Sequence, residues 1–223
     1  VGTPPSRFSW DHAADDMITA IEQISPSGVI GVGHSLGGVM TLLAAAKRPD
    51  LFRQIVLIEP VMFPTRAFVQ MGWMPMWLRE RLFSVAKRTV RRRAHWSSHD
   101  EFVDYHIDKA PFLGISREVM MDYAQHGLRP HGDAWQHSFP TSWEAHIFRT
   151  PAYVWGAVAK LSVPCTIFRA EQSNWVPDVS WQKWKKMRPD YPISVLPKLG
   201  HMAPLQNPSA VAQAVLEKIQ SVS

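Results

Sequence analysis

Cysteine is nearly absent: Cys165 is the single one in 223 residues. An intramolecular disulfide is therefore impossible, nothing asks for an oxidising compartment, and a cytoplasmic location is the expectation. Long apolar runs are absent too, and no segment is long and apolar enough to cross a membrane. No internal repeat or low-complexity tract appears. No CxxC pair, HExxH motif, calcium-loop spacing or dinucleotide-binding glycine pattern occurs, so neither a metal nor a redox cofactor is expected. Charged residues make up only 19% against 46% hydrophobic, the balance of a folded globular chain and not of a disordered one. A chain of this length buries about 70% of its unfolded surface, so a sizeable core is available.

Acidic residues are outnumbered, giving a formal charge of +5, and the excess is uneven. Arg79, Arg81, Lys87, Arg88, Arg91, Arg92 and Arg93 cluster with Glu80 as the only acid among them. Such a patch suits phosphates, anionic lipid or an acidic substrate. No zinc-finger spacing or other nucleic-acid motif accompanies it, so it reads as a solvated helix face and nucleic acid is not an expected partner.

Ser9 is placed to cap a helix over Trp10–Ile24, with Ala13 or Ala14, Met17, Ile21 and Ile24 forming its apolar face. Ser25-Pro26-Ser27-Gly28 ends it. Val29 to Val32 is a short strand-type run broken at Gly33, and Leu36 to Lys47 is again helical, stopped by Pro49. Ile55 to Ile58, Val163 to Phe168 and Ile193 to Leu196 are further apolar runs of the kind found in parallel strands covered on both faces, with Cys165 a buried member of the second. Asn207 and Pro208 open a last helix with the stripe Val211, Val215 and Ile219. Alternating strands and helices imply a doubly wound, mostly parallel α/β sheet. Residues 61–150 break the rhythm with helical patterns and no intervening strand. They read as a helical cap inserted into a core of residues 1–60 and 151–223.

Gly33-His34-Ser35-Leu36-Gly37 fits G-x-S-x-G between a strand and a helix. A strand turns sharply into a helix only with the central residue in a strained conformation, and the residues two before and two after it must be small. Ser35 then projects at a helix N-terminus, where the N–H of Leu36 can hold an oxyanion. Serine needs a base within hydrogen-bond reach. Leu199-Gly200-His201-Met202 follows the last strand, at the end of a parallel sheet where ligands bind, so His201 is the candidate base. His34 diverges from Ser35 on the tight turn and reads as a residue lining the pocket.

GHSLGG after a strand, a strand ending in LIEP, and the tail KLGHMAPLQNP before an amphipathic helix resemble the α/β-hydrolase superfamily, specifically its cap-bearing members related to esterases, dehalogenases and epoxide hydrolases. The likeness spans nearly all of the chain. It implies a serine hydrolase, with no cofactor, acting on a small molecule; the related dehalogenases carry an aspartate where Ser35 stands.

Two departures from the family pattern stand out. The family's domain opens with further strands and a loop that supplies a second oxyanion donor, and nothing before Ser35 resembles that loop. Gly2 to Ser6 resembles the stretch just after it, so the chain is expected to lack the N-terminal portion and to leave the strand before Ser35 with an open edge. The family's acid commonly follows the strand read as Val163–Phe168, where Ser173 or Asn174 now falls, and neither can carry charge. The superfamily's alternative position, directly after the preceding strand, is filled by Glu59. Glu59, Asp178 and Glu171 are the candidate acids, a site without one being the remaining possibility.

Trp73, Met74 and Trp77, with the later Trp143, offer large adaptable apolar surface for a substrate pocket. The expected reaction is hydrolysis of an ester or similar acyl bond of an apolar small molecule. A carbon–carbon hydrolase or lyase, and a disabled binding protein, are the competing readings.

Overall fold

The computed structural model describes residues 4–5, 8–25, 27–73, 89 and 92–220. In chain order the elements are α1 (Trp10–Ile24), β1 (Val29–His34), α2 (Leu36–Lys47), β2 (Phe52–Ile58), α3 (Thr65–Trp73), β3 (His95–Trp96), α4 (His99–His106), α5 (Arg117–Gly127), β4 (Leu128–His131), β5 (Ala134–His137), α6 (Thr141–Arg149), α7 (Val154–Lys160), β6 (Cys165–Ala170), α8 (Asp178–Met187), β7 (Ile193–Leu196) and α9 (Pro208–Gln220). They fall into two compact units. Phe8–Trp73, Ala152–Pro204 and Pro208–Ser223 form one; Met74–Pro151, with Val1–Arg7 and Leu205–Asn207, forms the other. The helix α3 thus belongs with the sheet, although the sequence reading assigned it to the insertion.

The first unit is built on a parallel sheet of order β1-β2-β6-β7. Ile55, Val56, Leu57 and Ile58 are all buried, and since their side chains alternate between faces, both faces of β2 are covered. On one face Val56, Ile58, Phe168 and Leu196 meet Val211 and Val215 of α9, with Ile219 beside them, which is the stripe expected for the last helix. Each such side chain contributes on the order of 1.5–3 kcal/mol. Among the described residues β1 has a single strand neighbour, and Val32 on it is half exposed.

Local chemistry explains the element ends. The N–H of Ser9 donates to Nδ1 of His12 at 3.2 Å, so a histidine fills the place that glutamate takes in a capping box. The buried row of α1 is Trp10, Ala14 and Ile18, spaced by four, and Ile24 is exposed. The expected face was therefore displaced: this row packs on α2, while Ile24 lies in the final turn before Ser25 ends the helix. Strand β6 starts two residues later than the apolar run because Pro164 has no N–H to give a ladder; its carbonyl instead accepts the N–H of Ile55 at 2.9 Å.

The second unit overturns the expectation of helices alone. It contains a three-stranded antiparallel sheet of order β3-β5-β4. β4 and β5 pair His131 with Ala134, leaving Gly132-Asp133 as a two-residue hairpin loop, and Gly132 adopts a positive φ of 58°. Of the basic cluster, Arg92 forks onto Glu144 with both bonds at 3.1 Å, and Arg93 pairs with Glu101 while lying over the Trp96 ring at 4.3 Å. Arg79, Arg81, Lys87, Arg88 and Arg91 lie outside the described residues. Among the described residues no helix is long and apolar enough to cross a membrane.

This unit also holds histidines in apolar surroundings. His106 is buried, donates from Nδ1 to the carbonyl of Phe102 at 2.9 Å, and is kept below the ordinary histidine range by that burial. His137 on β5 has a buried Nε2 without a hydrogen-bond partner; burial foremost, then the charge of Arg92 and the neighbouring His106, push its pKa down to about 4. The unfolded chain, with histidine near 6.5, binds more protons than the folded one between these values. The stability contributed is complete above about pH 6.5 and is lost as pH falls towards about 4. The thermal midpoint should therefore drop between pH 7 and pH 4.5 by circular dichroism, and His137→Phe should shrink that drop; an undiminished drop would place the acid sensitivity elsewhere.

Candidate active site

The carboxyl ends of all four parallel strands point the same way, and β1, β2 and the loop after β7 each deliver one polar side chain there. Ser35 sits between β1 and α2 at φ 53° and ψ −118°, a conformation costing about 1–3 kcal/mol in a non-glycine residue. Its N–H donates to the carbonyl of Ile58 at 2.9 Å, tying the turn to β2. A Cβ on Gly33 would lie 2.4 Å from the carbonyl oxygen of Gly37 and 2.6 Å from the nitrogen of Gly38, so only glycine lets the strand pass the helix start. A Cβ on Gly38 would approach the Gly33 carbonyl oxygen to 3.0 Å. A Cβ on Gly37 meets nothing within 4 Å among the described residues. The crowding expected two residues after the serine thus falls three residues after it, because Gly37 opposes Gly33 with its backbone and not with its Cα hydrogen.

Ser35 Oγ lies 2.9 Å from Nε2 of His201. On the far side of the ring Nδ1–H donates to Oε2 of Glu59 at 3.3 Å, which leaves Nε2 as the acceptor for the serine hydroxyl. Glu59 is fully buried, stands at a positive φ of 47° directly after β2, and accepts the Ala170 N–H at 2.7 Å through Oε1. Both carboxylate oxygens are therefore bonded, the condition for burying such a group. The other candidate acids are engaged elsewhere: Asp178 pairs with Arg169 at 2.5 Å and Glu171 accepts the Lys198 N–H at 2.7 Å. Ser173 is buried, its Oγ accepting the N–H of Trp175 at 3.3 Å, and Asn174 is exposed.

Leu36 occupies the first position of α2, where a helix leaves its N–H without an intrahelical acceptor. His34 has a more definite place than the wall of a pocket: its Nε2–H donates to the backbone carbonyl of His201 at 2.6 Å. Burial, its largest influence, holds His34 below the usual histidine range, and the carbonyl it faces selects the tautomer with the proton on Nε2. Sequence reasoning missed Trp175, whose indole stacks on the His201 imidazole with centroids 4.8 Å apart and planes 17° apart.

Trp73 ends α3 and is 87% exposed. Trp143 lies on α6 of the second unit beside Phe139. Met74 and Trp77 lie outside the described residues. Among the described residues no three His, Cys, Asp or Glu side chains are grouped to hold a metal ion.

A strained serine after a parallel strand, bonded to a histidine whose other nitrogen meets a buried glutamate, accompanies a match to the alpha/beta hydrolase family over residues 1–214. The chain belongs to the alpha/beta hydrolase family. Within that family it is similar to the 2-(acetamidomethylene)succinate hydrolase of Mesorhizobium japonicum, 24% identical over 98% of this chain and 73% of the relative. A crystal structure of E-2-(acetamidomethylene)succinate hydrolase superposes with a TM-score of 0.77 at 23% identity, covering 97% of this chain and 76% of that one. The esterase Rv0045c of M. tuberculosis superposes with a TM-score of 0.71 at 22% identity, covering 96% and 70%. At these identities the structural likeness is one of fold.

The asymmetry among the glycines is directly measurable. Gly33→Ala should lower stability by about 1–3 kcal/mol or more, because backbone on both sides must move, whereas Gly37→Ala should stay within about 1 kcal/mol. Urea titration of the two variants would show it, and equal losses would refute this account of the turn.

Proposed function

We propose that this alpha/beta hydrolase is a serine hydrolase that cleaves an ester or similar acyl bond of a largely apolar small molecule through an acyl-enzyme. The observation that carries the reading is the unbroken series Ser35–His201–Glu59, with bonds of 2.9 and 3.3 Å. Ser35 Oγ attacks the acyl carbon while its proton passes to Nε2 of His201. The developing oxyanion is held by the Leu36 N–H at the start of α2. Glu59 remains ionised, keeps the imidazole in the reactive tautomer and stabilises the imidazolium. His201 then returns the proton to the leaving group, and water, deprotonated by the same nitrogen, releases the acid and frees Ser35.

The buried carboxylate in contact with His201 removes one of the two grounds for a disabled binding protein, the doubtful acid, and leaves the other, the unmatched oxyanion loop. The name of the Mesorhizobium relative contains an acetamido group, an acyl group on nitrogen, which supports acyl bonds as the reactive class and extends it beyond esters. The unit Met74–Pro151 is inserted in the chain between α3 and Ala152, and we assign it the role of a cap.

A fluorophosphonate probe should label the protein and fail to label Ser35→Ala. Glu59→Gln should slow labelling by roughly 10³–10⁴-fold, as loss of the orienting acid does elsewhere. Absence of labelling in the folded parent, with labelling in Asn174→Asp, would replace this reading with that of a disabled hydrolase.

A further inference from the structure

The loop after β6 is held firmly against the loop that carries His201. The Glu171 N–H donates to the Leu196 carbonyl at 3.0 Å, and the Gln172 N–H to the Leu199 carbonyl at 2.9 Å. Glu171 Oε2 accepts the Lys198 N–H at 2.7 Å, so the two loops are bonded from both sides. Inside the turn, the Ser173 N–H reaches the Ala170 carbonyl at 3.2 Å and Ser173 Oγ accepts the Trp175 N–H at 3.3 Å. Val176, only 2% exposed, anchors the next residue. The backbone of Trp175 is thus positioned by both neighbours.

Its indole lies nearly parallel to the His201 ring, 4.8 Å away, and is itself 47% exposed. An exposed tryptophan gains little as core filling, so its contact with the imidazole is the part that needs a reason. The π face of an indole attracts a cation. An imidazole becomes a cation only when it has taken the serine proton, so this attraction is stronger in the transition state than in the resting enzyme, which is the condition for accelerating a reaction. The ring's two nitrogens are engaged by Ser35 and Glu59, and its backbone carbonyl by His34. The stacked indole adds a parallel face against rotation of the ring out of its plane, beside the tilted His34 ring 5.1 Å away.

Resting on the proposed serine hydrolase reading, we infer that Trp175 is a positioning residue for His201, holding the imidazole in plane and stabilising its protonated form in place of a group on the acid's customary loop. The test compares Trp175→Phe, which keeps a π face, with Trp175→Leu, which fills similar space without one, using p-nitrophenyl butyrate and the rate of fluorophosphonate labelling. Trp175→Leu should lower kcat by about three- to thirtyfold with KM within about twofold, while Trp175→Phe stays within about threefold of the parent. Labelling rates should follow kcat, and thermal midpoints confirm that both variants fold. Equal kcat values for the two variants, or a rise in KM alone, would overturn the inference and make Trp175 a wall for substrate. If the parent itself neither labels nor turns over, the serine hydrolase reading fails first and takes this inference with it.

Discussion

The turn at Ser35 depends on two backbone segments passing closer than any side chain allows. Gly33 faces the carbonyl of Gly37 and the nitrogen of Gly38 at distances that a Cβ would make untenable. That approach lets β1 stop and α2 begin within one residue, and it forces Ser35 to a positive φ. The Ser35 N–H then bonds to the end of β2, which also fixes where Glu59 begins. Three features of the site depend on this crossing: the reach of the hydroxyl to His201, the N–H at the start of α2 that lacks an intrahelical acceptor, and the seat of the carboxylate.

Glu59 shows how a charge survives in a fully buried position. Its oxygens take one backbone N–H from β6 and one imidazole N–H, and its own N–H bonds to the Phe168 carbonyl. The carboxylate thereby joins three strands of the sheet: it grows from β2, is held by β6 and meets a side chain delivered after β7. A residue with both oxygens occupied in this way has little freedom to drift, so its distance to the imidazole is fixed by the sheet.

Much of this was readable in the sequence because it rests on local chemistry. Ser9, Pro49, Pro208 and the alanine-rich run after Ser35 mark helices by capping and breaking. Ile55–Ile58 and Ile193–Leu196 mark strands by continuous apolar character. Ser35 and His201 stand out because their motifs sit where strands end. What escaped depended on contacts across the chain. The β4–β5 hairpin is built from short polar strands without an apolar run, and only Gly132-Asp133 signalled it. The beginning of β2 was hidden by Arg53 and by Gln54, whose buried amide donates to the Lys218 carbonyl at 3.1 Å. Three carboxylates suited the acid's place in sequence, and the choice among them turned on which one the fold leaves facing the imidazole. Nothing near Trp175 announces that its indole reaches a ring far along the chain, and His34 reads as a pocket residue until the carbonyl it bonds is located.

The position of the acid has an architectural consequence. Ser35 and Glu59 lie on adjacent strands joined by a single helix, and both precede the inserted unit. Two of the three groups are therefore carried by one contiguous stretch of chain, and the carboxylate is seated by the Ala170 N–H of β6, which comes after the insertion. The loop after β6 keeps Glu171, bonded to the Lys198 N–H, and Trp175, stacked on His201, so it braces the imidazole without supplying the carboxylate that meets it. The serine and the carboxylate thus come from one stretch of chain, while the stretch that follows the insertion contributes the imidazole between them and the indole stacked on it.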